Sequence, residues 1–334
     1  MTTPRACILA PSGPKLTARE CRFFAQADPW GFILFARNVE TPGQLAQLTD
    51  ALRNAVGRDA PILIDQEGGR VARMGPPHWR AWPPVREVCD AAEDEQALLE
   101  SLALRYRIIG EELRDVGIDV NCVPLLDVPQ PGIHWVIGNR TLGSDPLTVA
   151  RRAKAVVAGC LAGGVLPVIK HIPGHGRTAL DTHHALAVVE TTRDALRGSD
   201  FQPFRDLADM RLGMTAHIVY RDIDPLAPAT FSADVITEIR QVIGFSGCLM
   251  TDDISMGALA GSIDQRCIRA ILAGCDLILH CNGAMDEMEK VAGTVPRLSG
   301  PALDRAALAL AARPTRPVQP DRTDRPRAPK AAHA

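Results

Sequence analysis

Short apolar runs recur along the chain at intervals typical of alternating strands and helices. Eight of them are nearly continuous, as in strands that are covered on both faces. These runs lie at Ala6–Ala10, Gly31–Ala36, Pro61–Asp65, Ile118–Asp127, Val165–His171, Leu212–His217, Gly247–Asp252 and Cys275–Cys281. Helix-like segments lie between them at Thr41–Val56, Asp94–Val116, Pro146–Gly163, Thr192–Ala208, Ser232–Ile243 and Asp264–Ala273. The alternation predicts β/α units and a parallel sheet.

The number of units favours a closed barrel. Eight β/α units over roughly 300 residues fit a (β/α)8 barrel, whose usual size is about 250 residues plus insertions. A doubly wound open sheet is the alternative, but no G-x-G-x-x-G follows the first strand. Polar residues also end many of the strands, and in a barrel those ends converge on the face that holds the active site. They are Arg37, Asn38, Asp65, Asp127, Lys170, His171, His217, Asp252, Asp253 and Asn282. We predict an α/β protein built as a single (β/α)8 TIM barrel.

Local signals set the element and domain boundaries. Thr17 followed three residues later by Glu20 is a capping-box pattern that starts a helix. The Gly163-Gly164 pair ends the helix before the fifth strand. From residue 311 onward the chain is rich in Pro and Arg and nearly devoid of apolar residues, which predicts a disordered tail at 311–334 after a catalytic domain at 1–310.

Composition and charge narrow the classes of partner. A net charge of -2 and a sequence pI of about 6.5 give no electrostatic reason to expect nucleic acid or an anionic membrane as partner. The sequence contains no long uninterrupted apolar window, and we expect no secretion signal because the N-terminal segment lacks the long apolar core of one. Nine cysteines without a C-x-x-C pair are typical of reduced core thiols. We expect a cytoplasmic protein, a monomer or weak homodimer, that binds a small neutral ligand without a cofactor.

The segment Lys170–His184, K-H-I-P-G-H-G-R-T-A-L-D-T-H-H, holds four of the nine histidines. A metal site is one interpretation, but a Pro-Gly pair separates His171 from His175, so they do not share a helical face as paired ligands do. A polar loop with satisfied histidines is another. The third pairs Asp181 with His183, because a carboxylate two residues away can fix the tautomer of an imidazole and stabilise its protonated form, making it a general acid/base.

Two further motifs carry candidate chemistry. In M-T-D-D-I-S-M-G, helix capping explains one aspartate, and Asp252 at the strand end is a candidate carboxylate nucleophile. In L-I-D-Q-E-G-G-R-V-A-R, the Gly pair allows a tight turn that presents Asp65 and Arg73 to one ligand, and a surface ion-pair network is the alternative. Arg140, in I-G-N-R-T, is a weaker signal because a lone loop arginine is usually solvated.

Taken together, these motifs make the chain resemble the family 3 glycoside hydrolases. Within that family it resembles the compact bacterial β-N-acetylglucosaminidases of the NagZ type. The resemblance covers about residues 5 to 285, and K-H-x-P-G-H-G followed by D-[ST]-H is its most specific part. The chain departs from the commonest pattern at Ile172, where an aromatic residue is frequent, and at Ala187, the position where a proline often follows the D-x-H segment. Neither departure removes a catalytic group, but both bear on the position and mobility of the loop.

The resemblance implies a role for each matching residue. Asp252 matches the nucleophile, His183 the acid/base and Asp181 its partner. The residues that match those holding the hydroxyls and acetamido group of the terminal sugar are Asp65, Arg73, Arg140, Lys170 and His171. No residue is assigned to a metal. Retaining glycosidases ordinarily use two carboxylates about 5–5.5 Å apart. Here a histidine–aspartate pair stands in for one of them.

The implied reaction is retaining removal of non-reducing terminal β-linked N-acetylglucosamine, through a covalent glycosyl-enzyme. The implied substrates are muropeptide fragments, N-acetylglucosaminyl-1,6-anhydro-N-acetylmuramic acid with or without peptide, in peptidoglycan recycling. Three alternatives stay open from the residues: a phosphorylase with the same mechanism, a metal-dependent barrel hydrolase, and a catalytically silent sugar-binding protein.

Overall fold

A parallel β-barrel forms the centre of the molecule. The computed structural model describes residues 3–130, 135–178 and 186–314. Nine strands of the described chain form one sheet: β1 (Arg5–Leu9), β2 (Pro29–Leu34), β3 (Ile62–Ile64), β6 (Val120–Asn121), β7 (Leu166–Pro167), β8 (Ile169–Ile172), β10 (Leu212–Thr215), β12 (Cys248–Asp253) and β13 (Leu277–Leu279). Two small ribbons lie outside it: β4 (Gln66–Gly68) with β5 (Val71–Ala72), and β9 (Ala187–Val189) with β11 (Ile218–Tyr220).

The order of the strands closes the sheet into a barrel. Its order is β7-β6-β3-β2-β1-β13-β12-β10-β8, and all of these pairings are parallel. The two end strands, β7 and β8, belong to the single apolar run predicted at residues 165–171. One half of this run pairs with β6 and the other with β10, so the fifth strand joins both ends of the sheet. The predicted (β/α)8 barrel is confirmed, and the open-sheet alternative is wrong.

Helices surround the barrel and follow the predicted segments. Within the described chain they are α1 (Ala18–Ala27), α2 (Pro42–Val56), α3 (Val85–Asp90), α4 (Glu95–Asp115), α5 (Trp135–Gly138), α6 (Pro146–Ala162), α7 (Arg193–Gly198), α8 (Gln202–Asp206), α9 (Ala233–Thr237), α10 (Ile263–Ala273), α11 (Met285–Thr294) and α12 (Gly300–Ala311). Short 3-10 turns lie at Ala36–Asn38 and Ala229–Phe231, and a π-helical segment at Glu238–Val242 continues α9. No helix in these ranges combines the length and the apolar character needed to cross a bilayer.

The predicted helix boundaries are confirmed where local chemistry defines them. The Thr17 hydroxyl accepts from the Glu20 backbone N–H, and the Glu20 carboxylate accepts from the Thr17 backbone N–H at 2.8 Å, which is the complete capping box. At the other boundary, Gly163 caps α6 and Gly164 has φ +87°. That conformation favours glycine, so the chain can turn sharply into the fifth strand.

One predicted helix is wrong in length. The segment Thr192–Ala208 was predicted as one helix, but it forms the two short helices α7 and α8. Pro203 lies at the start of α8, where its missing N–H costs nothing, whereas in a continuous helix it would break the hydrogen-bond ladder. The interruption turns Asp200 inward, and its buried carboxylate accepts from Arg177 Nε at 2.8 Å.

The cysteines behave as core residues. All nine are free thiols; seven are buried, Cys281 is half-buried and Cys21 is exposed. Burial raises the pKa of the Cys267 thiol to about 12, so this thiol stays protonated. The predicted burial of the cysteines is confirmed for these seven, and their reduced state stays a prediction. The predicted tail cannot be compared with the structure beyond residue 314, since 315–334 lie outside the described residues.

Candidate active site

A pocket of about 330 Å³ opens where the barrel strands end. Six of the eight candidate site residues line it, although they are spread over nearly 190 positions of sequence. The six are Asp65, Arg73, Arg140, Lys170, His171 and Asp252. The rest of the lining is formed by Ile33, Phe35, Arg70, Val71, Ile137, His175, Met214, Asp253, Met256, Leu279 and Cys281. The pocket lining therefore combines several charged side chains with apolar ones, as in many small-molecule sites.

Lys170 is the centre of an ion-pair network on one wall. Its Nζ donates to Asp65 Oδ1 at 2.8 Å and lies 2.7 Å from Glu67 Oε1, with only 2% of its side chain exposed. Glu67 also accepts from Arg140 in a bidentate arrangement, Nη2 to Oε1 at 2.7 Å and Nε to Oε2 at 2.8 Å. Two cations and two carboxylates thus hold each other in fixed positions.

The network keeps these groups ionised despite their burial. Burial opposes the charge of Asp65, but the positive charges of Lys170 and Arg73 outweigh it and hold the pKa of that carboxyl below its usual range. Burial also opposes the charge of Lys170, and Asp65 and Glu67 outweigh it and raise the pKa of the amine. Arg140 and Lys170 lower the pKa of Glu67 in the same way, against burial. The wall therefore presents fixed charges at neutral pH.

The β4–β5 hairpin brings Arg73 to the same wall. Its Nη2 lies 3.3 Å from Asp65 Oδ2, and its guanidinium stacks over the Phe35 ring at 5.3 Å. The turn needs glycine because Gly68 has φ +109°, and a Cβ there would lie 2.0 Å from Arg105 Nη2. The predicted tight turn that presents Asp65 and Arg73 together is what the structure contains.

His171 and His175 face a buried carboxylate instead of forming a helical pair. Asp127 Oδ2 lies 2.8 Å from His171 Nδ1, and Asp127 Oδ1 accepts from the His175 backbone N–H at 2.7 Å. Burial opposes the charge of Asp127, but His171 outweighs it and lowers the pKa to about 2. Burial lowers the pKa of His175 to about 4, so this imidazole is neutral at pH 7. Asp127 thereby fixes Nδ1–H of His171 and leaves Nε2 as its second ring nitrogen.

Asp252 and Asp253 end β12 and have different surroundings. Asp252 Oδ1 accepts from the Asp253 backbone N–H at 2.7 Å. The Asp253 carboxylate accepts from the Ser255 backbone N–H at 3.0 Å and from the Cys281 backbone N–H at 3.1 Å. Asp253 therefore caps the turn that follows the strand and not a helix as predicted, because the next helix begins only at Ile263. The assignment of Asp252 to chemistry stays a prediction.

The charge of Asp252 is favoured by its neighbours. Burial opposes it, but His171 and the Asp253 backbone N–H, together with Lys170, outweigh burial and lower the pKa of the carboxyl. His217 is itself buried, and burial lowers its pKa as well, which keeps its ring neutral. Asp252 is therefore an ionised carboxylate at neutral pH, with the polarity that a nucleophile requires.

The two remaining candidates, Asp181 and His183, lie outside the described residues. The described chain reaches Thr178 on one side, whose Oγ1 lies 3.0 Å from His175 Nδ1, and resumes at residue 186 just before β9. The acid/base pair therefore stays a prediction. The same holds for the metal interpretation, since His183 and His184 belong to the undescribed segment. Among the described residues no cluster of three His, Cys, Asp or Glu side chains is arranged to hold a metal ion.

Sequence reasoning gave no role to three residues that shape the site: Glu67, Asp127 and His217. Asp127 and His217 carried a usable signal, because both stand at the carboxyl end of a strand. Glu67 lay inside a motif that was singled out, but nothing in the sequence distinguished it from a solvated charge. Its burial at 3% exposure and its two cationic partners identify it only in three dimensions.

Comparisons with known proteins show which sequences the chain is similar to. The sequence profile of the glycosyl hydrolase family 3 N-terminal domain matches residues 16–310. The chain is 39% identical over 278 residues to the β-hexosaminidase of Alkalilimnicola ehrlichii, covering 81% of this chain and 78% of that protein. It is 35% identical over 313 residues to the β-hexosaminidase of Bordetella avium, covering 89% of each.

The fold of the chain is also similar to that of a solved structure. NagZ from Neisseria gonorrhoeae, crystallised in complex with N-trifluoroacetyl-D-glucosamine, superposes with a TM-score of 0.85 at 30% identity. The match covers 94% of this chain and 91% of that one. Sequence and structure thus point to the same group of enzymes over nearly the whole described barrel. The chain belongs to glycosyl hydrolase family 3, among its β-hexosaminidases.

Proposed function

We propose that the enzyme removes non-reducing terminal β-linked N-acetylglucosamine by double displacement through a covalent glycosyl-enzyme. The observation that carries the proposal is the placement of an ionised Asp252 in the same pocket as the Asp65, Lys170 and Arg140 network. A neutral sugar held by that network would present its anomeric carbon to a carboxylate. The ligand in the gonococcal relative is an N-acylated glucosamine, which supports the choice of sugar.

In the first step Asp252 attacks the anomeric carbon while an acid protonates the leaving oxygen. His183 is our candidate for that acid, and Asp181 would help to keep its imidazole protonated near neutral pH. In the second step a water attacks the anomeric carbon, His183 takes a proton from that water, and the bond to Asp252 breaks. Two displacements restore the original configuration at the anomeric carbon.

The charged wall is suited to recognise sugar hydroxyls by directional hydrogen bonds. Asp65 can only accept, whereas Arg73, Arg140 and Lys170 can only donate, and His171 offers its second ring nitrogen. Because the ion pairs already fix these groups, little side-chain entropy is lost when a sugar binds. A substrate that is held in one orientation has its anomeric carbon close to Asp252 in a reactive geometry.

For the biological substrate we propose muropeptide fragments of the N-acetylglucosaminyl-1,6-anhydro-N-acetylmuramic acid type, with or without peptide, in cytoplasmic peptidoglycan recycling. The support is the resemblance to the NagZ type and the similarity to NagZ from Neisseria gonorrhoeae. A near-neutral net charge of -2 agrees with a carbohydrate ligand better than with a polyanion.

One experiment tests the stereochemistry of this reaction and its acceptor. The full chain is incubated with the purified anhydro-muropeptide disaccharide, and the newly released sugar is followed by proton NMR before it mutarotates. We expect the β-anomer of N-acetylglucosamine to appear first. Initial release of the α-anomer would exclude double displacement. Parallel reactions with phosphate test the acceptor, because phosphorolysis would yield the sugar 1-phosphate in place of the free sugar.

A further inference from the structure

Asp253, which the sequence marks only as a capping residue, contacts the candidate nucleophile directly. Its backbone N–H donates to Asp252 Oδ1 at 2.7 Å. We propose that Asp253 is a positioning residue that holds Oδ1 of Asp252 in place, so that Oδ2 is the oxygen that attacks the anomeric carbon. The inference rests on the proposed function, because it assumes that Asp252 is the nucleophile.

The side chain of Asp253 joins the ends of two barrel strands. Its Oδ1 accepts from the Ser255 backbone N–H at 3.0 Å and from the Cys281 backbone N–H at 3.1 Å. The Ser255 hydroxyl adds contacts of 2.9 and 2.8 Å to the two carboxylate oxygens. Ser255 follows β12 and Cys281 follows β13, so the carboxylate ties the end of one strand to the end of the next.

The backbone carbonyl of Asp253 is held by a further contact, with His217. His217 Nε2 lies 3.0 Å from the Asp253 carbonyl oxygen, and His217 Nδ1 lies 2.7 Å from Thr230 Oγ1. A carbonyl oxygen can only accept, so Nε2 carries the proton and Nδ1 accepts from the Thr230 hydroxyl. Thr230 Oγ1 also lies 2.8 Å from Thr215 Oγ1 and 3.2 Å from the Ala216 carbonyl oxygen. The neutral ring of His217 thus orients the residue that follows the nucleophile.

These contacts make the two oxygens of Asp252 inequivalent. Oδ1 accepts a hydrogen bond, which withdraws electron density from it, whereas Oδ2 accepts none from the described part of the chain. In the first step a lone pair of Oδ2 forms the bond to the anomeric carbon. The glycosidic bond breaks, and its electron pair stays on the leaving oxygen, which takes the proton of the acid. Oδ1 becomes the ester carbonyl oxygen and keeps the Asp253 N–H as its donor.

The first test measures kcat and KM for Asp253→Ala and Asp253→Asn with a chromogenic β-N-acetylglucosaminide. The alanine variant should lose about 10²-fold in kcat with little change in KM, because a displaced nucleophile slows chemistry without weakening sugar binding. Asparagine can still accept from the Ser255 and Cys281 N–H groups and should recover part of the rate. Asp209→Asn, at an exposed position, is the matched control and should behave as the parent enzyme. A rise in KM with unchanged kcat would overturn the proposal.

A second test separates positioning from general damage to the pocket. In Asp252→Ala, azide can replace the missing nucleophile and form an α-glycosyl azide from a substrate with a good leaving group. Adding Asp253→Ala to this variant should leave the azide-rescued rate within about twofold, because Asp253 acts through a carboxylate that is now absent. A second loss of about 10²-fold would show that Asp253 supports the pocket itself and would overturn the proposal. Full activity of Asp252→Ala without azide would instead refute the proposed function.

The structure of the trapped glycosyl-enzyme would show directly which oxygen of Asp252 forms the bond to the anomeric carbon. In the adduct formed with a fluorinated N-acetylglucosamine analogue, the ester bond should pass through the oxygen that does not accept from the Asp253 N–H. The Asp253 N–H should still donate its hydrogen bond to the ester carbonyl oxygen. An ester formed through the oxygen next to the Asp253 N–H would overturn the assignment.

Discussion

Glu67 shows how a residue can govern a binding site without lining it. Its carboxylate lies behind the wall, where it pairs with Lys170 at 2.7 Å and with Arg140 at 2.7 Å. Its backbone carbonyl accepts from Arg105 Nη2 at 3.0 Å and from the Tyr106 hydroxyl at 3.1 Å, so the backbone that carries the carboxylate is itself held in place. The positions of the two cations that we assign to sugar binding therefore depend on Glu67.

Replacing Glu67 by glutamine should affect both stability and binding. The change keeps the shape but leaves Lys170 and Arg140 with one carboxylate fewer, and breaking a buried pair costs about 3–5 kcal/mol. We expect a large fall in the free energy of unfolding and a rise in KM with a smaller change in kcat. Denaturant titration and steady-state kinetics measure the two effects. Glu111→Gln, which removes an exposed partner of Arg107, should change stability by less than about 1 kcal/mol. Equal effects of the two substitutions would contradict this role for Glu67.

At this scale the sequence predicts the pocket residues that stand at strand ends and misses those that act from behind. Asp65, Lys170 and Asp252 each follow an apolar run, and strand polarity in a barrel alone places their side chains on one face. Glu67 acts from behind the wall through Lys170 and Arg140, which are distant in sequence. Asp127 stands at a predicted strand end, but its partners lie 44 and 48 positions away, and no local pattern reveals that pairing.

Among the elements, the β4–β5 hairpin depends on particular residues of its sequence. It follows β3, contains Glu67 and leads directly into Arg73. Gly68 and Gly69 have φ of +109° and +57°, and Gln66 Oε1 accepts from the Arg73 backbone N–H at 2.8 Å. The sequence predicts this turn because paired glycines are its local signature. The predicted single helix missed the division of α7 from α8, although Pro203 is a local signal for a break, and an ion pair of the buried Asp200 carboxylate with Arg177 accompanies the division.

Gly68→Ala should therefore disturb the site through the hairpin. A Cβ at residue 68 would lie 2.8 Å from the Pro83 carbonyl oxygen as well as against Arg105, and φ of +109° disfavours alanine. We expect a loss of stability of about 1–3 kcal/mol from overpacking alone, together with a higher KM. Gly75→Ala is the matched control, because nothing lies within 4 Å of its Cβ position and its φ is not positive. Thermal unfolding and kinetics of both variants make the comparison, and unchanged KM in Gly68→Ala would count against the hairpin's role.

At the scale of the whole molecule, barrel closure creates the site. Asp65, Arg140 and Asp252 belong to units far apart along the chain, and only the parallel circular order of the strands brings them to one pocket. The sequence predicts this order from the repeated β/α pattern, since parallel strands joined by helices have few alternative arrangements. The split of the fifth strand into β7 and β8 was not predictable from its single apolar run, because it reflects pairing with two different neighbours.

The central claim is that Asp252 forms a covalent bond with the anomeric carbon of N-acetylglucosamine. The most direct measurement incubates the full chain with a fluorinated N-acetylglucosamine analogue bearing a good leaving group, digests the inactivated enzyme and locates the added mass by peptide sequencing. We predict a single adduct on Asp252, and none in Asp252→Ala treated in the same way. An adduct on any other residue, or full turnover by Asp252→Ala, would contradict the account.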